Sequence, residues 1–211
     1  MKAAKIFLMF LLALIFLQSC SILAPEQQVV DTFEQIAKLE DKVNKHHATL
    51  VRLEREQTTL YGQITSLGMK QFNKVAELSK EAQTIIDKRE KEIDAEHENI
   101  KRAHKMLPIA KENAERLHES AIKACALRLI NVMEKRYAAY DSLYTHYQKA
   151  LLLERELYRL FEQENVTLEQ LQKQTEKINR VYAEVVAANN QFNDYTEEYN
   201  EAKKKLYNEL Q

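Results

Sequence analysis

The chain has 211 residues, of which 30% are charged, with 31 basic and 32 acidic side chains, two glycines, two prolines and no tryptophan. So little turn chemistry excludes a sheet protein of this length, in which every hairpin needs its own glycine, proline or asparagine signal. The Glu-, Lys-, Gln-, Leu- and Ala-rich remainder is the composition of long helices, and the near balance of charge gives no pull toward nucleic acid or anionic headgroups.

The first predicted element is a leader. Lys2 and Lys5 precede an unbroken apolar run from Ile6 to Leu17, and Leu17-Gln18-Ser19-Cys20 follows. This is the charged, apolar and small-residue layout of a secretory signal, and it resembles a bacterial lipobox, with cleavage between Ser19 and Cys20 and acylation of the Cys20 thiol. An uncleaved signal anchor or an ordinary signal peptide is the alternative, but the run is short of the roughly 20 apolar residues that span a bilayer. Two acyl chains, at roughly 0.8 kcal/mol per buried methylene, hold a protein stably on a membrane. The expected organisation is a signal peptide over 1–19, a lipidated tether over 20–25 and one helical domain over 26–211, on the extracytoplasmic face of the cell membrane. Losing Lys2 and Lys5 leaves the mature chain at about −3. Cys125 is then the sole other cysteine, so no intramolecular disulfide can form. Among Ala121, Ala124, Leu127 and Leu129 it reads as a small core residue, with a redox role as the alternative.

From Val29 an apolar series runs through Ile36, Leu39, Val43, Leu50, Leu53, Leu60, Ile64 and Leu67, with His46 and Gln57 as its polar members. Alternating steps of three and four demand coiled-coil-like, left-handed packing. After Gly68 a new series starts one residue out of register, through Phe72, Val75, Ser79, Ala82, Ile86, Ile93, Ile100, Ala103 and Leu107. The shift at a glycine predicts a helix end with Gly68 as a left-handed cap; one long helix with a local skip is the competing reading. Pro108 predicts the end of helix two, and a third helix is expected from Ile109 to Gln163. Thr167 and Gln170 form a capping box, with Val166 and Leu171 as a staple, ahead of a fourth helix. Its seam is Leu168, Leu171, Ile178, Tyr182, Val185, Phe192, Tyr199 and Leu206. The expected fold is all-α, an elongated antiparallel up-and-down four-helix bundle, or a three-helix spectrin-like bundle if helices one and two are continuous.

Motifs for chemistry are sparse. Glycines only at positions 62 and 68 exclude a phosphate-binding loop, and no nucleophile elbow, His-Glu-x-x-His or paired-cysteine motif is present. His97 and His104 share a helix face with Asp94, and Glu115 and His118 form a lone Glu-x-x-His, where di-carboxylate bundles need two. Both read as solvated surface, and no metal or cofactor is expected. Tyrosine is the anomaly: Tyr137, Tyr144 and Tyr158 repeat every seven residues with Leu151 between them, and Tyr140 and Tyr147 lie on the adjacent seam. An aromatic core layer explains them. A sharper reading makes Tyr137 and Tyr144 a partly exposed ledge for a ligand, with Tyr140 and Tyr147 buried.

Several stretches carry a family resemblance: Ser66-Leu67-Gly68-Met69-Lys70, Asp87-Lys88-Arg89-Glu90, Met133-Glu134-Lys135-Arg136-Tyr137, Tyr140-Asp141-Ser142-Leu143-Tyr144, Thr167-Leu168-Glu169-Gln170-Leu171 and Phe192-Asn193-Asp194-Tyr195-Thr196. Together with the lipobox they resemble the YkyA-like cell-wall-binding lipoproteins of Gram-positive bacteria. The resemblance implies a location and a wall ligand, and assigns no binding residues. The leading expectation is a non-enzymatic, lipid-anchored protein that binds peptidoglycan, a wall polymer or another envelope protein. A wall hydrolase or hydrolase activator is the alternative, for which two carboxylates facing a cleft are the required feature. A self-associating spacer is the third, for which the feature is an exposed apolar stripe.

Overall fold

The computed structural model describes residues 24–211. The helices are α1 (Pro25–Leu67), α2 (Phe72–His104), α3 (Leu107–Glu115), α4 (Ser120–Phe161) and α5 (Leu168–Glu209), with a 3-10 turn at Met69–Gln71. The four long ones form an all-α antiparallel bundle. Cross-helix pairs make the direction explicit, since Asp87 meets Arg155, His97 meets Asp141 and His104 meets Glu134 along α2 and α4. At 1.5 Å per residue α1 is about 65 Å long. The leader and Cys20 lie outside the described residues; among those described, no helix is long and apolar enough to cross a membrane.

Pro25 opens α1 at the helix start, where its missing N–H is no loss. Gly68 ends α1 with φ 61° and ψ 175°. That region is open in practice only to glycine, although it is not the left-handed helical cap expected from the sequence. The chain reverses there, so Leu53, Leu60 and Ile64 share a core with Val75 and Leu78 of α2. Phe72 is only half-buried. The Thr167–Gln170 capping box forms as expected, with the Gln170 N–H donating to Thr167 Oγ1 and the Thr167 N–H to the Gln170 side chain.

The third expected helix is in fact two. Pro108 sits in the first turn of α3 and Leu107 is already helical, so the proline opens a helix after the bend at Lys105 and Met106. A second break covers residues 116–119, where the Leu117 N–H turns back to the Ala114 carbonyl and Lys123 Nζ covers the Glu115 carbonyl. The buried face explains it. Leu107, Ala110, Ala114 and Leu117 step by three and four, but Ile122 follows Leu117 after five, so a continuous helix would turn one of the two faces outward. The core divides into two parts along the bundle. The part nearer Pro25 gathers Val29, Phe33, Leu129, Met133 and Leu206, and the far part gathers Leu53, Ile64, Ile86, Leu151 and Ile178. Cys125 is buried in the near part.

Candidate functional site: a polar layer beneath an open cleft

In α2 the isoleucines Ile86, Ile93 and Ile100 step by seven, and the seam positions between them hold Arg89 and Glu96. Both lie in the core, at 1% and 2% exposure. A buried charge is tolerable only if paired and hydrogen-bonded. Arg89 meets that condition with groups from the other three long helices: Gln57 Oε1 of α1 at 2.7 Å, Tyr147 Oη and Glu154 Oε2 of α4 at 2.7 and 2.6 Å, and Tyr182 Oη of α5 at 3.0 Å. Each hydroxyl that accepts from the guanidinium in turn donates a hydrogen bond to a carboxylate, Tyr147 to Glu54 Oε1 at 2.7 Å and Tyr182 to Glu154 Oε1 at 2.6 Å. Burial opposes the charge on Arg89, yet Glu154, Tyr147 and Tyr182 around it together outweigh that cost, and the guanidinium is held above its ordinary pKa.

The same construction recurs down the bundle and accounts for the tyrosines. Tyr137 donates to Glu40 of α1, Tyr140 to Glu96 of α2 and Tyr144 to Asp94 of α2. Arg136 adds a second bridge, donating to Glu40 of α1 and Thr196 of α5 while lying over the Phe192 and Tyr199 rings. Burial, with the adjoining carboxylates, pushes the phenols of Tyr137, Tyr140 and Tyr147 up, and burial holds Tyr158 at about 12.

The bundle is not closed all round. α1 packs on α2, α2 on α4 and α4 on α5, but α1 and α5 make no extended contact. Toward the Gly68 end they leave a trough between them. Its first part, about 460 Å³, has the Arg89 layer as its floor and Glu54, Tyr61, Tyr158 and Tyr182 in its walls. Its second part, about 790 Å³, has an apolar base of Ile64, Val75, Phe161 and Leu171, with exposed Thr65, Gln172 and Glu176 around it. Tyr61, Thr175 and Asn179 line both, so the two parts are continuous. Leu168, a seam residue by its spacing, is 70% exposed at the lip of the apolar part.

The sequence-based site residues fall elsewhere. Tyr140 and Tyr147 are buried, as expected. Tyr137 is fully buried, because its seven-residue spacing with Leu151 and Tyr158 is itself core spacing, and Tyr144 is half-buried with its ring stacked on His97 at 3.8 Å. The two therefore form no common ledge. His97 and His104 each meet a carboxylate of α4, Asp141 at 2.8 Å and Glu134 at 2.7 Å, and half-buried His46 meets Glu92 of α2 at 2.7 Å. Among the described residues no cluster suited to a metal ion occurs. Ser19 and Cys20 lie outside them. Sequence reasoning missed Arg89, Glu96 and Glu154. The signal was spacing: Glu154 continues the seven-residue step of Tyr140 and Tyr147, and Arg89 and Glu96 fill the gaps between isoleucines.

Comparison with known proteins agrees with this picture. The chain is 32% identical over 193 residues to a Bacillus subtilis (strain 168) protein named "Uncharacterized lipoprotein YkyA", spanning 92% of this chain and 86% of that one. A solved structure, the 1.6 Å crystal structure of a conserved protein of unknown function from Staphylococcus aureus, superposes with a TM-score of 0.69. It is 14% identical and covers 86% of this chain and 93% of that one, which shows a shared fold. A family profile described as "Putative cell-wall binding lipoprotein" matches residues 24–209. The chain belongs to that family, the YkyA lipoproteins.

Proposed function

We propose that the mature protein is anchored by acylated Cys20 to the outer face of the cell membrane and binds cell-wall material, without chemistry of its own, in the trough between α1 and α5. The observation that carries this reading is the trough itself, a cleft with a preorganised polar floor at the end of the bundle remote from Pro25. Measured along α1, residues 54–64 stand about 45 to 60 Å beyond Pro25 at 1.5 Å per residue. A lipid-tethered molecule of this form holds its cleft well out from the bilayer. The family's description supports a wall ligand, and the lipoprotein name of the Bacillus relative supports the anchor.

The test is co-sedimentation of the mature chain with purified sacculi. Asn179 is exposed on the rim and lines both parts of the trough. Asn179→Trp should fill the trough, leave the melting temperature unchanged and abolish retention, whereas Tyr144→Ala, away from the trough, should keep it. Retention of Asn179→Trp at the wild-type level would remove the trough from the account.

One observation favours a second reading. Glu54 and Glu154 both face the cleft, as a wall hydrolase requires. However, Glu154 accepts from Arg89, Gln57 and Tyr182, and Glu54 accepts from Tyr147. A general acid needs a proton to give and room to give it, and Glu154, held by three internal donors, leaves Glu54 without a free carboxyl partner across the cleft. Release of soluble wall fragments by the wild type, lost in Glu154→Gln, would establish the hydrolase. The self-associating spacer finds less support: the large exposed apolar residues Ile109, Leu152, Leu168 and Val186 are spread over α3, α4 and α5, and singly exposed apolar residues are ordinary.

A further inference from the structure

We propose that the trough takes a peptide carrying a free primary amine, with the ammonium seated on Glu54. This rests on the wall-binding reading and narrows it. Charge comes first. Arg89 is the one basic residue lining the trough, against three carboxylates: Glu154 at 2.6 Å from it, Glu54 at 3.5 Å, and Glu176. The trough is therefore net negative. A phosphate-rich wall polymer is repelled there, and a cation is drawn in.

Glu54 is the group placed to receive that cation. Its side chain is 38% exposed, in contrast to Arg89 beneath it at 2%. Oε1 accepts from the Tyr147 hydroxyl at 2.7 Å and lies 3.5 Å from Arg89 Nη2, and among the described residues nothing donates to Oε2. The neighbouring walls are the Tyr61, Tyr158 and Tyr182 rings, surfaces that favour an ammonium. The rest of the trough describes what the amine is attached to. Asn179, on the rim, offers an amide donor and acceptor, and Thr58 and Thr175 offer hydroxyl oxygens, the kinds of partner that peptide N–H and C=O groups need. Beyond them Ile64, Val75, Phe161 and Leu171 accept small apolar side chains.

The test uses the mature chain and sacculi stripped of phosphate-containing polymers, either untreated or with their amines acetylated. Acetylation removes the charge and should lower wild-type retention about tenfold, the value of one charge-assisted hydrogen bond. Glu54→Gln should show the same loss on untreated sacculi and no further loss on acetylated ones. Equal wild-type retention on both preparations, with Asn179→Trp still failing to bind, would overturn the amine and leave the trough standing. Retention on neither would overturn the wall-binding reading itself. Acetylation-sensitive binding that persists in Glu54→Gln would place the amine elsewhere and sink this assignment.

Discussion

Arg89 is the residue through which all four long helices are joined, and its energetics follow from its burial. Replacing a buried ion pair by apolar groups of equal volume can be neutral, but removing one partner leaves an uncompensated charge and costs about 3 to 5 kcal/mol. Arg89→Met should therefore lower stability by roughly that amount in urea titration, and Arg89→Met with Glu154→Leu should recover much of it. If the single variant were as stable as the wild type, the layer would not organise the bundle. His47 adds a pH dependence. Its Nδ1 lies 3.6 Å from Glu96 Oε1, a buried oxygen that no hydrogen bond satisfies. The Glu96 carboxylate facing it holds the imidazole above its usual 6.5, with burial opposing and Glu54 adding a smaller pull. A folded pKa above the unfolded one stabilises fully below about 6.5, and the contribution is lost as pH rises through the folded value. On going from pH 8 to pH 6 the wild type should gain more stability than His47→Gln, as thermal melts at the two pH values would show; equal gains would dissociate the pair. These residues were hard to see in the sequence because a charged side chain at a seam position looks like a break in the seam. Arg89 and Glu96 stand as gaps between Ile86, Ile93 and Ile100 in the apolar series, and they are its missing members.

Among the elements, the turns were legible where a residue type marks them and obscure where only phase does. Gly68 was marked, and its positive φ is the reason. No atom lies within 4 Å of a β-carbon built there, so Gly68→Ala costs conformational strain and no clash. That strain is about 1 to 3 kcal/mol, and a loss in this range on chemical denaturation is expected. An unchanged midpoint would mean that the turn relaxes into an ordinary conformation. The break at residues 116–119 has neither glycine nor proline, and only the five-residue step from Leu117 to Ile122 betrays it. Pro108 was read as a stop and is a start, since proline is as compatible with a first helical turn as it is hostile to an interior. The α5 seam was right in its phase, yet Leu168 is exposed because no α1 residue closes over it. Such an opening depends on how two distant helices fail to meet, and no local pattern records that.

For the whole molecule, the long helices have a simple consequence. A bundle about 65 Å long sets its cleft most of its length away from Pro25, the end at which the proposed lipid anchor would attach. The all-α class and the helical pairing were visible in composition and periodicity; the trough was not, because it is a property of the assembled bundle. The most direct test of the account is site-specific photocrosslinking in intact cells. A photoreactive residue at position 179, on the rim of the trough, should give adducts with wall material that a muramidase releases. The same probe at position 109, exposed on α3 at the near end, should give none. Equal adducts at both positions, or adducts at 109 alone, would contradict the claim that the α1–α5 trough is where this protein meets the wall.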